Sequence, residues 1–239
     1  MTLFRYGEDL LEWFPSIVGG ALHARGVVNG PSPPDLASAF EAEQRATLAR
    51  IGVTPLSELP GLAAWRRAFS AFGVEPTRYR SAAEALLRRL TKQRDIPSLG
   101  CLVDIGNLVS IRYGLPVAVF DRRAVTGTTT VRFADGSERF TDLGSVEVVR
   151  PEAGEVIFVD DAGLVSARRW CWRQSAESAT RPDTTDVLIT AESLHAAARE
   201  DVAAALEDLV ALLARHVPAT TIRSALLSAE RPAFPAEDE

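Results

Sequence analysis

Apolar and polar positions alternate in two rhythms along the 239-residue chain. In the N-terminal half the spacing is mostly three and four. Residues 7–14 read as a short helix stopped by Pro15. A strand over 16–28 follows, in which Gly19 and Gly20 point to a bulge or to close packing. The loop 29–35 leads to an Asp35 N-cap and a helix to about Arg50. Residues 61–71 form a third helix, with Trp65 and Phe69 one turn apart. Ser81-Ala-Ala-Glu84 is a capping box, and it opens a helix to about Lys92. Ala83, Leu86, Leu87 and Leu90 share the buried face of that helix and leave Arg88, Arg89 and Lys92 on the other side. A further helix over 101–113 is closed by Gly114 and then Pro116.

From Val117 the period shortens to two. Strands are predicted over 117–120, 129–134, 146–149, 155–160, 164–173 and 186–191. ADG at 134–136 and DAG at 161–163 mark hairpin turns. Helical spacing returns from Ser193, where Val202, Leu206, Leu209, Val210 and Leu213 share one side of a helix reaching His216. A last helix is expected over 219–229 and a frayed tail over 230–239. Helices first, strands second and a helix last predict an α+β fold with a β-sheet core, helices around it and a C-terminal helical extension over 193–229. No proline-rich linker divides residues 1–239, which predicts a single domain.

Composition changes this picture little. Apolar residues make 46% and charged residues 24%, the balance of an ordinary globular protein. No apolar run reaches the roughly 18 residues a spanning helix needs. Glu8, Asp9 and Glu12 interrupt the place where a signal peptide would be apolar. The expectation is a cytoplasmic protein with no membrane partner. Cys101 and Cys171 belong to no metal-binding or redox spacing, so no metal and no cofactor are expected. Charge is more informative. The net charge of −6 opposes unspecific nucleic-acid binding, yet residues 61–100 hold eight bases against three acids. A second basic cluster, Arg168, Arg169, Arg173 and Arg181, faces only Glu177, while residues 183–239 hold eleven acids against four bases. A polyanion would dock mid-chain, although a solvated helix face accounts for the same residues.

No phosphate loop, dinucleotide fingerprint, zinc-protease motif or nucleophile elbow is present. His23, His195 and His216 stand far apart, which argues against a Ser/His or Cys/His hydrolase. Three elements stand out. The helix CLVDIGNLVSIRY (101–113) is apolar around most of its circumference yet carries Asp104, Asn107 and Ser110 at three-residue spacing. Those groups need either backbone partners or a ligand. Read as a strand, RRWCWRQS (168–175) puts Arg168, Trp170, Trp172 and Gln174 on one face and Arg169, Cys171, Arg173 and Ser175 on the other. Its tryptophans fit either a core pair with snorkelling arginines or a stacking surface for a base or an aromatic substrate. VDDAG (159–163) places Asp160 and Asp161 at a strand end, suited to a turn, to a metal or to acid–base work.

In order along the chain, TRYRSAAEALLRRL, LVDIGNLVSIRYGLPVAVFD and GEVIFVDDAGLVSARRWCWRQS make a combined pattern. It resembles the B-three/B-four domain, the editing domain of the bacterial phenylalanyl-tRNA synthetase beta subunit, in its free-standing form. The resemblance runs over about residues 8–215. It implies a sandwich-like sheet core with helices packed around it. It also implies a deacylase acting in trans on mischarged tRNA, with tRNA or aminoacyl-tRNA as partner. Asn107 matches a polar residue of the synthetase pocket's helix, and Arg80 and Ser81 match the start of the preceding helix. Two departures are visible: Ala118 stands where the synthetase pattern has a histidine, and WCWRQS replaces a Gly-rich segment.

An aminoacyl ester is already activated and has a ribose hydroxyl beside it, so positioning can supply much of the rate. On that reading Asn107, Arg173, Gln174 and Ser175 position substrate or water. Arg80, Ser81, Asp104, Asp160, Asp161, Trp170 and Trp172 bind substrate, and Arg78, Arg88, Arg89 and Lys92 meet tRNA phosphates. Two other readings stand beside it. One is a binding module for an amino acid, an aminoacylated compound or RNA without turnover. The other is a partner-binding role for the acidic helix over 200–216.

Overall fold

The computed structural model describes residues 2–236. Among the described residues six α-helices and twelve strands follow one another in mixed order. The chain opens with β1 (Thr2–Tyr6), α1 (Glu8–Trp13) and β2 (Val18–Arg25). It continues through α2 (Pro34–Ile51), α3 (Pro60–Ala71), α4 (Ala82–Gln93) and α5 (Cys101–Tyr113). Strands dominate next: β3 (Val117–Asp121), β4 (Thr129–Phe133), β5 (Phe140–Thr141), β6 (Val148–Val149), β7 (Val156–Val159), β8 (Val165–Arg168), β9 (Arg173–Gln174) and β10 (Asp186–Ser193). The elements α6 (Ala198–His216), β11 (Thr221–Leu227) and β12 (Ala233–Pro235) complete the fold. No helix among the described residues is long and apolar enough to cross a membrane.

The fold is α+β. A four-stranded antiparallel sheet, β11-β2-β10-β3, faces a six-stranded mixed sheet, β12-β1-β4-β7-β8-β9, in which β1 and β4 run parallel. Strand β10 shows why the sequence builds layers. Side chains alternate across a strand, so Val187 and Ile189 enter the core against α2, α4, α5 and α6, while Leu188 enters the core between the sheets. Burial on both faces explains the nearly unbroken apolar run. The core between the sheets is aromatic, with Phe4, Phe120, Phe158, Trp65 and Trp170 each about fully buried. A small third cluster, including Phe140, Ile157 and Val165, covers the outer face of the six-stranded sheet.

The helical expectations for 61–71, the capping box and 101–113 hold. Ser81 Oγ accepts from the Glu84 amide at 3.3 Å, and Gly114 ends α5 at φ +68°, where a Cβ would be strained. Asp35 is not the N-cap of α2, because that helix starts at Pro34 after Pro33. Gly19 and Gly20 serve close packing and make no bulge: the β2–β10 register is continuous, Gly19 faces Tyr6 and Gly20 faces Leu206.

Several expectations are corrected. The strand expected over 164–173 breaks after Arg168, because Arg169 and Trp170 adopt left-handed backbone at φ +45° and +59°. The strand over 146–149 shrinks to two residues. Helix α6 starts at Ala198, since 186–193 is one strand. The helix expected over 219–229 is the strand β11, paired along β2 from Thr221 to Leu227. The frayed tail is ordered as far as β12, which pairs with the unpredicted β1; residues 237–239 lie outside the described residues. Helix α6, on one reading a partner-binding element, packs one face into the core. Val202, Ala205, Leu209 and Leu213 are buried in the core, and Asp208 binds Arg112 and Tyr113.

Candidate functional site

A cavity of about 80 Å³ opens between the two sheets, at the end where β3 and β9 are both edge strands. Ala118, Phe120, Thr190 and Glu192 come from the four-stranded sheet, and Phe158 and Ala167 from the opposite one. Residues 170–174 and Ala82, the first residue of α4, close it. The register sets Ala118 directly across from Thr190. The position where the sequence departs from the synthetase histidine is therefore a wall of this cavity.

Glu192 is the chemical feature of the site. It is 2% exposed. Tyr6 Oη donates to its Oε1 at 2.8 Å, and Trp170 Nε1 donates to the same oxygen at 3.2 Å. Its second oxygen, Oε2, has no hydrogen-bond partner among the described residues. Burial pushes the carboxyl up to about 7, against the two hydrogen bonds, which favour ionisation. Tyr6 reaches Glu192 only because position 19 is glycine: a Cβ there would lie 2.0 Å from the Tyr6 hydroxyl. Thr190, two residues earlier on the same strand face, is 2% exposed and its hydroxyl has no hydrogen-bond partner among the described residues either.

The left-handed pair at 169–170 shapes the rest. Such backbone costs roughly 1–2 kcal/mol per L-residue, and it is held by Trp170 N donating to Val156 O at 2.5 Å. The bend swings the Trp170 ring into the core, 5.0 Å from both Phe14 and Trp65 in edge-on contacts. It also aims the Cys171 carbonyl at the Ala82 amide, 2.7 Å away, where it accepts one of the free N–H groups of the α4 N-terminus. Trp170 is thus a core wall and Trp172 a half-buried rim, the latter 4.9 Å from the Tyr79 ring. Arg169 and Arg173 lie 4.9 and 4.8 Å from the Trp172 ring. Arg173 also pairs with Asp142. Gln174 donates through Nε2 to the carbonyls of Val119 and Ser178 at 2.9 and 2.8 Å, which leaves its oxygen unused. Burial and nearby Glu192 push the Cys171 thiol up, so it stays protonated.

The other sequence-derived candidates lie elsewhere. Asp104 accepts from Ser32 Oγ at 2.6 Å, from the Leu99 amide at 2.9 Å and from Ser98 Oγ, which ties a loop to α5. Ser110 donates to the Leu115 carbonyl at 2.6 Å. Asn107 is half-buried and lies outside the cavity. Ser175 is fully buried and bonds Ser178. Asp160 is a turn organiser that accepts from the amides of Thr126, Ala162 and Leu164 at 2.8–2.9 Å, and Asp161 accepts from Thr128 N. Ser81 caps α4, and Arg80 lies 3.7 Å from Glu84. None of these lines the cavity. Arg78, Arg89 and Lys92 are exposed and Arg88 is half-buried. Among the described residues none of the four forms an ion pair, in contrast to Arg66, Arg168 and Arg169. Arg88, Arg89 and Lys92 sit on α4, whose first residue is at the cavity mouth.

Two residues of the site escaped the sequence reading. Glu192 was recognisable as a carboxyl in a strand of alternating apolar residues, had that strand been extended past 191. Tyr6 lies in a short strand with no local signal. The histidines hold structural partners. His23 Nε2 meets Asp186 at 2.8 Å. His195 links Ser193 Oγ (2.5 Å) and Asp201 (2.9 Å), but Ser193 has no exposed surface, so its hydroxyl is not presented as a nucleophile. Among the described residues no three His, Cys, Asp or Glu side chains converge as metal ligands.

A family model described as the B3/4 domain matches residues 64–229. Every residue named above as lining the cavity falls in that range, while Tyr6 and Phe14 lie outside it. The phenylalanine–tRNA ligase beta subunit of Shewanella oneidensis is 30% identical over 89 residues, which is 37% of this chain and 11% of that subunit. The crystal structure of an N-terminal fragment of the phenylalanyl-tRNA synthetase beta-subunit from Pyrococcus horikoshii is similar with a TM-score of 0.47 at 14% identity. That similarity covers 92% of this chain and 50% of the other. The chain thus spans about a tenth of the curated relative.

Proposed function

The chain belongs to the B3/4 domain family, and from that premise we propose that it removes the amino acid from a mischarged tRNA in trans. The observation that carries this reading is the cavity between the sheets. It is walled by aromatic rings, and Glu192 Oε2 and Thr190 Oγ1, on residues that line it, have no hydrogen-bond partners among the described residues. Both atoms are open to the cavity, where a ligand can pair them. The aminoacyl side chain enters it, and the ester lies at the mouth beside Trp172, Arg173 and Gln174. Water adds to the ester carbonyl, the bond to the ribose oxygen breaks, and the products are the free amino acid and the tRNA hydroxyl. Positioning and the neighbouring ribose hydroxyl supply the rate. Arg88, Arg89 and Lys92, unpaired along a helix that starts at the mouth, meet the phosphates.

The test is a deacylation screen of the full chain against correctly and wrongly charged tRNAs at neutral pH, with and without chelator. Selective loss of one mischarged ester supports the reading, and hydrolysis of none above the spontaneous rate overturns it. A second reading, binding without turnover, is favoured by one observation. No histidine lines the cavity, and Cys171 is held as a thiol. Calorimetry with uncharged tRNA and free amino acids separates the two.

A further inference from the structure

We infer that Glu192 and the aromatic rings beside it form a site for an ammonium group, so that the cavity between the sheets takes a charged amine of the aminoacyl ligand; this rests on the proposed function. Charge comes first. Glu192 lies deep in the fold, and its Oε1 accepts only from the neutral donors Tyr6 Oη and Trp170 Nε1. Its Oε2 opens onto the cavity that Glu192 lines. Carboxylates this far inside a protein are normally paired with a cation, and among the described residues Glu192 has none. Arg173 is the one cationic side chain among the lining residues. It is already engaged, paired with Asp142 and lying 4.8 Å from the Trp172 ring. The missing positive charge is therefore the ligand's to bring.

The walls come second. Phe120, Phe158, Trp170 and Trp172 line the cavity with Glu192, and the Phe120 and Phe158 rings lie 5.5 Å apart across the two sheets. The faces of such rings carry negative potential and attract a cation most where water is excluded. The side-chain oxygens left open there, Glu192 Oε2 and Gln174 Oε1, are acceptors, and an ammonium is a donor without acceptor capacity. A ligand hydroxyl would also donate to Glu192 but would leave its charge unmatched, and hydrogen bonds between two ions are the stronger kind. Burial holds the free Glu192 carboxyl up at about 7, so pairing with an ammonium draws it down and releases its proton. The other titratable or charged groups facing it are Tyr6 and Cys171, which burial keeps protonated, and Arg173 on the same cavity.

The experiment uses the full chain and adenosine carrying alanyl, lactyl, lysyl or norleucyl groups through a non-hydrolysable 3′-amide, with affinity read by calorimetry at neutral pH. Lactyl puts a hydroxyl where alanyl has its α-ammonium, and norleucyl lacks the side-chain ammonium of lysyl. If the cavity takes the α-ammonium, alanyl binds at least about tenfold more tightly than lactyl, and lysyl matches norleucyl. If it takes a side-chain ammonium, lysyl exceeds norleucyl by that factor. Either preference supports the inference; neither preference, or no binding by any compound, overturns it. Glu192→Gln keeps an acceptor for Tyr6 and Trp170 and should bring the preferred ratio toward one. A second measurement on the unchanged chain guards against a folding defect in that variant. Between about pH 6 and 7 the preferred compound should release a proton on binding and bind more tightly as pH rises. Proton uptake, or tighter binding as pH falls, means that a neutral carboxyl donates to the ligand and overturns the inference. Hydrolysis of the corresponding esters is measured in parallel. Turnover without ammonium preference sinks the inference and leaves the deacylase reading intact. Ammonium-selective binding without turnover supports the inference and sinks that reading.

Discussion

Two of the molecule's cavities contrast. The larger, of about 500 Å³, lies among α2, α3, α4, α5 and the start of α6. Its polar neighbours are already satisfied: His195 by Ser193 and Asp201, Arg112 by Glu43 and Asp208, Arg50 by the Ile111 and Arg112 carbonyls. The smaller, of about 80 Å³, lies between the sheets and keeps a carboxylate oxygen and a hydroxyl unmet. Of these two, volume alone points to the first. Chemistry points to the second, because there a carboxylate oxygen and a hydroxyl on lining residues have no partner among the described residues. The large cavity is a gap between helices whose chemistry is closed.

That contrast can be broken most directly at Trp170, which serves both as core and as cavity wall. Trp170→Ala should cost about 3–5 kcal/mol, seen as a large fall in the urea midpoint, with loss of ligand binding. A variant of normal stability would show that the ring is not packed as described.

The pH dependence of stability comes next. The folded Glu192 carboxyl titrates at about 7, above its unfolded value near 4.3, so between those values the folded state holds the proton more tightly. Stability then falls as pH rises from about 4.5 to 7 and is flat for this group above that. The upper bound is about 4 kcal/mol from the size of the shift. The groups facing Glu192 are Tyr6, Trp170 and Cys171, and burial keeps the Tyr6 and Cys171 protons on through this range. Glu192→Gln should remove the slope; an unchanged slope would place its origin elsewhere.

A smaller effect is expected on the basic face. Replacing Arg88, Arg89 and Lys92 together by Ala should reduce the logarithmic salt dependence of tRNA binding by roughly 2–3 units and leave binding of free amino acids unchanged. Loss of both would mean that α4 supports the cavity itself. Smaller still, His195→Gln beside the large cavity should cost about 1 kcal/mol or less, as expected for a half-exposed pair, with ligand affinity untouched. Asn107→Ala should move stability by at most about 0.5 kcal/mol and leave deacylation unchanged. A deacylation defect in either variant would return the helical side of the molecule to the site.

Much of the fold was legible in the sequence where its determinants are local. The Ser81 capping box, the Gly114 stop of α5 and the buried face of α4 are set by residues within a few positions of one another, and their boundaries came out close to the observed ones. The shift to period two after Val117 announced the sheets. Basic charge on α4 could also be read directly. Strands β1, β11 and β12 could not, because a short or edge strand is defined by partners far along the chain: β1 pairs with β12, and β11 adds itself to β2. The turn at Arg169 and Trp170 hid for the same reason, since its left-handed backbone is held by contacts with Val156, Phe14 and Trp65.

The site follows the same division. The sequence determined which chemical groups exist, and it singled out Trp170, Trp172, Arg173 and Gln174 as worth watching. Only the tertiary structure decided that Asp104 and Asp160 spend oxygens on loop groups 72 and 34 positions away. It alone brought Tyr6 to Glu192 across 186 positions of sequence. A group's chemistry depends on which partners it lacks, and that is settled only when distant segments have packed.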